Sequence, residues 1–275
     1  MSAPVMTSGL SSSGLVGQRK HRDIAMVRAR VATSFALACF SVLTMRTACA
    51  DPRAASETQR TAPRAVIELF TSQGCSSCPP ADAYLKTLKE QPDVLALSYH
   101  VDYWDYLGWR DTLGGAEFSE RQYDYAQARG DKNVYTPQMI VNGGQHFVGS
   151  QRDQVSSAIA TARAEVATDW VDMEMSDNKT DVTITIPAGN PAKEATLWLL
   201  AFTHSISVEI KKGENAGSTV EYHNVVRKMV PAGMWHGEAA KIVLPKGSVV
   251  PQGCKGWVAL IPCILWSWFN TGYQA

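Results

Sequence analysis

The chain has 275 residues, 45% of them hydrophobic and 19% charged, with 26 basic residues against 26 acidic. That length and apolar content suffice for one or two globular domains with real cores. The 20 glycines and 13 prolines follow no period, which excludes collagenous, low-complexity and coiled-coil classes, and a net charge of zero leaves no basic footprint for nucleic acid.

Near the N-terminus, Arg28 and Arg30 precede an apolar run over 31–43, and the small residues Ala48, Cys49 and Ala50 stand before Asp51. This is the three-part layout of an export signal with an A-x-A cut. The run is shorter than the roughly 20 residues a bilayer-spanning helix needs, so no stable membrane span is expected after cleavage. Residues 1–50 are read as an N-terminal extension and cleaved signal, 51–64 as a linker, and the mature protein as periplasmic or secreted. Met26, just ahead of the pattern, is a second candidate start, and Arg46 stands where a lipid-anchoring motif at Cys49 requires an aliphatic residue. Cleavage removes six basic residues and one acidic, leaving 20 against 25 and a net charge of −5. It also leaves Cys75, Cys78, Cys254 and Cys263, enough for two bridges in an oxidising compartment.

In the mature chain, 66–70 is a short apolar run holding one acid, Glu68, and it leads into a turn-rich stretch at 71–74. A buried strand followed by a loop is expected. Pro79 and Pro80 then precede Ala81, Tyr84, Leu85 and Leu88 at helical spacing, and proline is tolerated in a first helical turn. Residues 94–101 read as a central strand, 102–115 as an ordered aromatic loop, and 118–128 as a helix stopped by Gly130. The runs 138–141 and 145–148, joined by Asn142-Gly143-Gly144, form a hairpin, and 150–167 is an Ala-rich helix. The order is thus β-α-β-α-β-β-α over 65–168. After it the period falls to two, with short strands expected near 171–175, 182–186, 197–202, 206–210, 220–230 and 242–244. These predict an all-β, sandwich-like C-terminal domain over 169–275.

Cys75-Ser76-Ser77-Cys78 falls between the first strand and the first helix. Unpaired N–H groups and the dipole at a helix N-terminus stabilise a thiolate, and a second cysteine three residues on can resolve a mixed disulfide. A structural disulfide and half of a zinc site are the other readings; zinc would need two further ligands at matching spacing, and neither a second C-x-x-C nor an H-x-x-x-H is present. Thr136-Pro137 heads the strand at 138–141. A proline at the head of a strand is read either as a simple edge residue or as the cis-proline that thioredoxin-like folds of this element order hold there beside the cysteines, exposing the preceding backbone to an extended substrate. His100, Asp102 and Asp105 surround the aromatic loop and fit either a metal or acid–base site or a hydrogen-bonded loop anchor.

The run ELFTSQGCSSCPPAD from Glu68 to Asp82, HVDYWDYLGW from His100 to Trp109, and VYTPQM from Val134 to Met139 resemble the DUF1223 family of secreted thioredoxin-like proteins. The resemblance is strong over 65–167 and looser beyond, and the tail WVALIPCILWSWFN at 257–270 departs from the family's pattern, which puts a Cys254–Cys263 bridge in doubt. It implies a thioredoxin-like fold and export; the placing of the pair at a helix N-terminus makes Cys75 the expected nucleophile and Cys78 the resolving thiol. Glu68 is read either as the acceptor of the resolving thiol's proton or as a strand acid that points to solvent or pairs with a neighbour. Thr136 and Pro137 would shape the substrate surface, and Tyr103 and Trp104 either line it or only cover the sheet edge. No metal and no diffusible cofactor are called for, because the electrons reside in the cysteine pair.

The expected function is that of an exported thiol-disulfide oxidoreductase whose partners are exported thiol or disulfide proteins. The alternative is a non-enzymatic binding or Cu(I)-delivery protein with a structural disulfide. From the A-x-A site, mass spectrometry of the exported fraction is expected to find a mature N-terminus at Asp51; an uncut chain there would overturn the export reading.

Overall fold

The computed structural model describes residues 63–165, 171, 173–189 and 194–261. The first strand, β1 (Ala65–Thr71), is buried along its whole length and pairs in parallel with β2 (Val94–His100). Between them α1 (Pro79–Lys89) starts with its two prolines in the first turn, where no N–H is needed, and buries Ala81, Tyr84, Leu85 and Leu88. The aromatic loop contains one 3-10 turn (Asp105–Leu107) and leads to α2 (Ala116–Arg129), which ends at Gly130 as expected. The hairpin of β3 (Gln138–Val141) and β4 (Gln145–Val148) lies antiparallel to β1 and is followed by α3 (Arg152–Glu165).

Strand alternation sorts the core into two layers. Ile67 and Leu69 of β1 and Ala96 of β2 meet Ala81, Leu85 and Leu88 of α1 and Val155 and Ile159 of α3. Val66 and Phe70, with Leu95, Leu97 and Tyr99, meet Phe118 and Tyr125 of α2 on the other side. Each Val, Leu, Ile and Phe among these stabilises by roughly 1.5–3 kcal/mol on full burial.

The chain beyond residue 168 departs from the expected separate domain. The strands there are β5 (Glu174–Asp177), β6 (Asp181–Ile186), β7 (Ala195–Glu209), β8 (Thr219–Trp235), β9 (Ala240–Pro245) and β10 (Gly256–Leu260), with one helical turn, α4 (Lys246–Val249), before the last. β7, β8 and β10 extend the first sheet, whose order is β10-β7-β8-β2-β1-β3-β4; β5, β6 and β9 form a small second sheet. The runs expected at 197–202 and 206–210 are one 15-residue strand. β7 feeds two cores at once: Leu200 and Phe202 join the α2 layer, while Leu197 and Leu199 face Met175, Val182, Ile184 and Ile186 of the small sheet. The sandwich-like packing is therefore real, but one of its layers is the end of the long sheet, and the described residues fall within one compact unit. Period-two patterning reveals that a strand has two faces; it carries nothing about which strand its edges join.

Among the described residues no helix is long and apolar enough to cross a membrane. Cys263 and most of the 257–270 tail lie outside the described residues, so the Cys254–Cys263 bridge is not addressed.

Because Leu200, Phe202, Val226, Val258 and Leu260 complete the α2 layer, a fragment ending at residue 168 is expected to lack a cooperative thermal transition by circular dichroism. A sharp transition in that fragment would restore the two-domain reading.

Candidate functional site

The turn between β1 and α1 is closed by main-chain bonds from Cys75 N–H to Ser72 O (3.1 Å) and Cys78 N–H to Cys75 O (3.2 Å). Cys78 is the residue that caps α1, and it is joined to Cys75 by a disulfide. Cys78 is fully buried and Cys75 is 3% exposed, whereas Ser76 and Ser77 between them are exposed. The bridge thus sits at the end of α1 where the helix dipole favours negative charge on sulfur; Pro79 and Pro80 carry no N–H, and the N–H groups of Ala81 and Asp82 both bond Cys78 O.

Thr136 and Pro137 reach the same place from β3. The Thr136–Pro137 peptide is cis, and the Ser77 hydroxyl donates to Thr136 O at 3.5 Å. Gly149 lets these parts close up: a Cβ there would fall 2.9 Å from Ala81 Cβ and 3.4 Å from Pro137 Cβ. Trp104 donates from Nε1 to Thr136 Oγ1 (2.7 Å), and its Cβ would lie 3.1 Å from a Cβ placed at Gly74. Tyr106, 76% exposed, stacks on Trp104. Tyr103 instead turns toward α2, donating its hydroxyl to Gln122 Oε1 (3.1 Å).

Glu68 does not meet the thiols. It lies on the α2 side of β1, and Arg121 grips it in bidentate fashion, Nε to Oε2 at 2.6 Å and Nη2 to Oε1 at 3.0 Å. The Tyr125 hydroxyl also donates to Oε1. This pairing holds the Arg121 guanidinium charged against the burial that opposes it. Parity along the strand decides the matter, since α1 packs against Ile67 and Leu69.

The acid on the cysteine side is Asp82, one turn after Cys78 on α1. It is 3% exposed, and neither carboxyl oxygen has a hydrogen-bond partner among the described residues. Burial pushes its carboxyl up from 3.8 to about 7; the charge of His100 and the nearby Thr71 hydroxyl, which stops short of a formed hydrogen bond, pull the other way. His100 and Thr71 are register partners on β2 and β1. His100 Nδ1 bonds Asp111 Oδ2 at 2.9 Å, its ring meets Tyr222 edge-on, and its Nε2 has no partner among the described residues. Burial would raise the Asp111 carboxyl, but His100 and the N–H groups of Gln73 and Leu113 bring it below the usual carboxylate range.

The expected grouping of His100 with Asp102 and Asp105 resolves into loop anchoring. Asp102 accepts from Ser119 Oγ (2.6 Å) and Asp105 from Asp111 N–H (2.9 Å). Among the described residues no group of three or more His, Cys, Asp or Glu is placed to hold a metal ion. Sequence reasoning also missed Glu214 and Asn215, at the tip of the β7–β8 hairpin. Glu214 Oε2 accepts from Ser76 N–H (3.3 Å), and Asn215 Nδ2 donates to Gln73 O and Cys75 O, both at 2.9 Å. Asp82 had a readable signal as the one acid within the apolar stripe of α1; the hairpin tip had none.

The raised value of Asp82 makes a stability prediction. The folded state prefers the protonated acid, so no penalty exists below the ordinary value of 3.8; it grows as pH rises toward 7 and is constant above. Asp82→Asn keeps the size and removes the charge. Its Tm advantage over the natural protein is expected to be small at pH 4 and largest at pH 8, reflecting roughly 4 kcal/mol at most. A pH-independent difference would show that Asp82 is not an unpaired buried acid.

Residues 66–261 match the family described as a protein of unknown function, DUF1223. The chain is also similar to a crystal structure of protein AGR_C_4864 from Agrobacterium tumefaciens, with 33% sequence identity and a TM-score of 0.67, covering 78% of this chain and 97% of that one. No curated protein matches it. With its seven-stranded mixed sheet, second small sheet and bridged C-x-x-C turn, the chain belongs to the DUF1223 family.

Proposed function

We propose that this is a thioredoxin-like thiol-disulfide oxidoreductase that works on exported proteins in the periplasm or outside the cell. The observation that carries the reading is a disulfide at the strand-to-helix turn with a buried, proton-holding acid one helical turn beyond its second cysteine. The element order from β1 to α3, with the local sheet order β2-β1-β3-β4, supports the thioredoxin-like assignment. The Thr136 carbonyl beside Ser77 supports a platform for an extended partner. A disulfide behind an export signal is consistent with an oxidising compartment.

In this mechanism a partner thiolate attacks Cys75 Sγ, the Cys75–Cys78 bond breaks, and the electron pair leaves on Cys78 Sγ. Asp82, protonated near neutral pH, gives its proton to that leaving sulfur. In the reverse step Asp82 takes the proton from Cys78, whose thiolate attacks Cys75 Sγ and expels the partner as its thiolate. When instead the partner's second thiolate attacks the partner sulfur of the mixed disulfide, Cys75 leaves as its thiolate and the partner departs as a disulfide. Two electrons have then passed between the two dithiol–disulfide couples, and no further redox group takes part. Glu68 has no part, because Arg121 and Tyr125 occupy it.

The test is exchange with a disulfide-bonded protein such as insulin. Cys75→Ser is expected to abolish it; Cys78→Ser is expected to stop after one turnover as a trapped mixed disulfide at Cys75; Asp82→Asn is expected to slow exchange about 10²-fold with the disulfide still formed, the scale of one general acid–base group. Exchange surviving Cys75→Ser, or adducts trapped at Cys78 instead, would overturn the assignment.

A further inference from the structure

Cys75 is nearly inaccessible although both residues that follow it are exposed. Three elements reach the turn that carries it. Trp104 of the aromatic loop stands beside Gly74 and bonds Thr136, and Thr136 at the head of β3 bonds Ser77. The third is the tip of the β7–β8 hairpin, 140 residues further along the chain, which reaches the turn with side-chain bonds to its main chain.

The tip is built to stay there. Residues 210–218 turn back through bonds from Gly217 N–H to Ile210 O (2.8 Å) and Ala216 N–H to Gly213 O (3.2 Å). Gly213 lies so close to Trp109 that a Cβ on it would stand 3.2 Å from Trp109 Cβ. Trp109 Nε1 in turn donates to Gln73 Oε1 (2.8 Å), the side chain of the residue whose carbonyl Asn215 holds. Asn215 spends both amide hydrogens on Gln73 O and Cys75 O, the two carbonyls that frame Gly74 and the start of the C-x-x-C turn. Beneath the tip, Val208 and Val220 pack with Leu113 and Tyr222, so the hairpin is anchored along its apolar side as well.

We propose that the β7–β8 hairpin tip, pinned by Asn215, is a fixed cover that makes access to Cys75 size-selective: small thiols and slender, extended chains reach the sulfur, and bulky folded surfaces do not. Cys75 is 3% exposed, and the tip of a strand pair from the distal half of the chain bonds the main chain of its turn. The proposal's biological use rests on the exchange reading above, but its physical content is access to one thiol, which is measurable without any exchange partner.

The test uses the full mature chain, reduced, with alkylation of Cys75 followed by peptide mass spectrometry, so that Cys254 and Cys263 are scored separately. The readout is the ratio of Cys75 rates with a polymer-bearing maleimide and with N-ethylmaleimide at one pH, which cancels any change in thiolate fraction. Asn215→Ala and Asn215→Asp, the second close in size to asparagine but lacking both donors, are each expected to raise that ratio about tenfold by loosening the tip. Glu214→Gln, whose amide oxygen still accepts from Ser76 N–H, is expected to leave it unchanged. An unchanged ratio in both Asn215 variants would overturn the proposal, as would a rise in Trp104→Ala alone, which would make the aromatic loop the cover. Should Asn215→Ala fold poorly, Asn215→Asp and hydrogen exchange of the natural protein at 211–217 decide: rapid exchange throughout the tip would contradict a fixed cover. Size selectivity without protein exchange would sink the oxidoreductase reading alone, and exchange without size selectivity would sink the cover alone.

Discussion

Everything in this protein is arranged about a strand that has no wet face. β1 is buried from Ala65 to Thr71 between α1 and α3 on one side and α2 on the other. Each residue on it is committed by parity to one layer: Glu68 finds its donors on the α2 side, while the Thr71 hydroxyl on the α1 side has no formed hydrogen bond among the described residues. The C-x-x-C turn is the continuation of this strand, so the constraint that orders the core also aims the cysteines at the start of α1.

The two buried acids show what that constraint does to charge. Glu68, facing α2, is surrounded by a complete set of donors in Arg121 and Tyr125, and the guanidinium also lies over the Tyr99 and Tyr125 rings. Its charge is compensated and fixed. Asp82, facing the opposite layer, has His100 nearby but no formed hydrogen bond, and desolvation lifts it to about 7. Burial thus brings the titration of the Asp82 carboxyl toward neutral pH.

The distal half of the chain serves the site in two ways. Its strands β7, β8 and β10 cover the edge that β2 would otherwise leave open, and their even-numbered residues on β7 finish the α2 layer. The length of β7 and β8, 15 and 17 residues, then carries their connecting tip out to the cysteine turn. A pair of short strands could have completed the sheet without bringing Asn215 to Gln73 and Cys75.

The amino-acid sequence by itself determined the elements from β1 to α3, the placing of Cys75 and Cys78 at a strand-to-helix turn, and the position of Thr136-Pro137 at the head of β3. Those features are written in local periodicity and in turn chemistry such as Pro79-Pro80 and Asn142-Gly143, which act over a few residues. Local pattern could not show that Glu68 is taken up by Arg121 and Tyr125 while Asp82 is left without a hydrogen bond under α1, because that depends on which helix covers which face of β1. Nor could it join β8 to β2, or set Asn215 against a carbonyl 140 residues away. Only the tertiary structure decided these, because edge pairing and layer assignment are settled by the burial of the whole chain at once and leave no trace in the spacing of neighbouring residues.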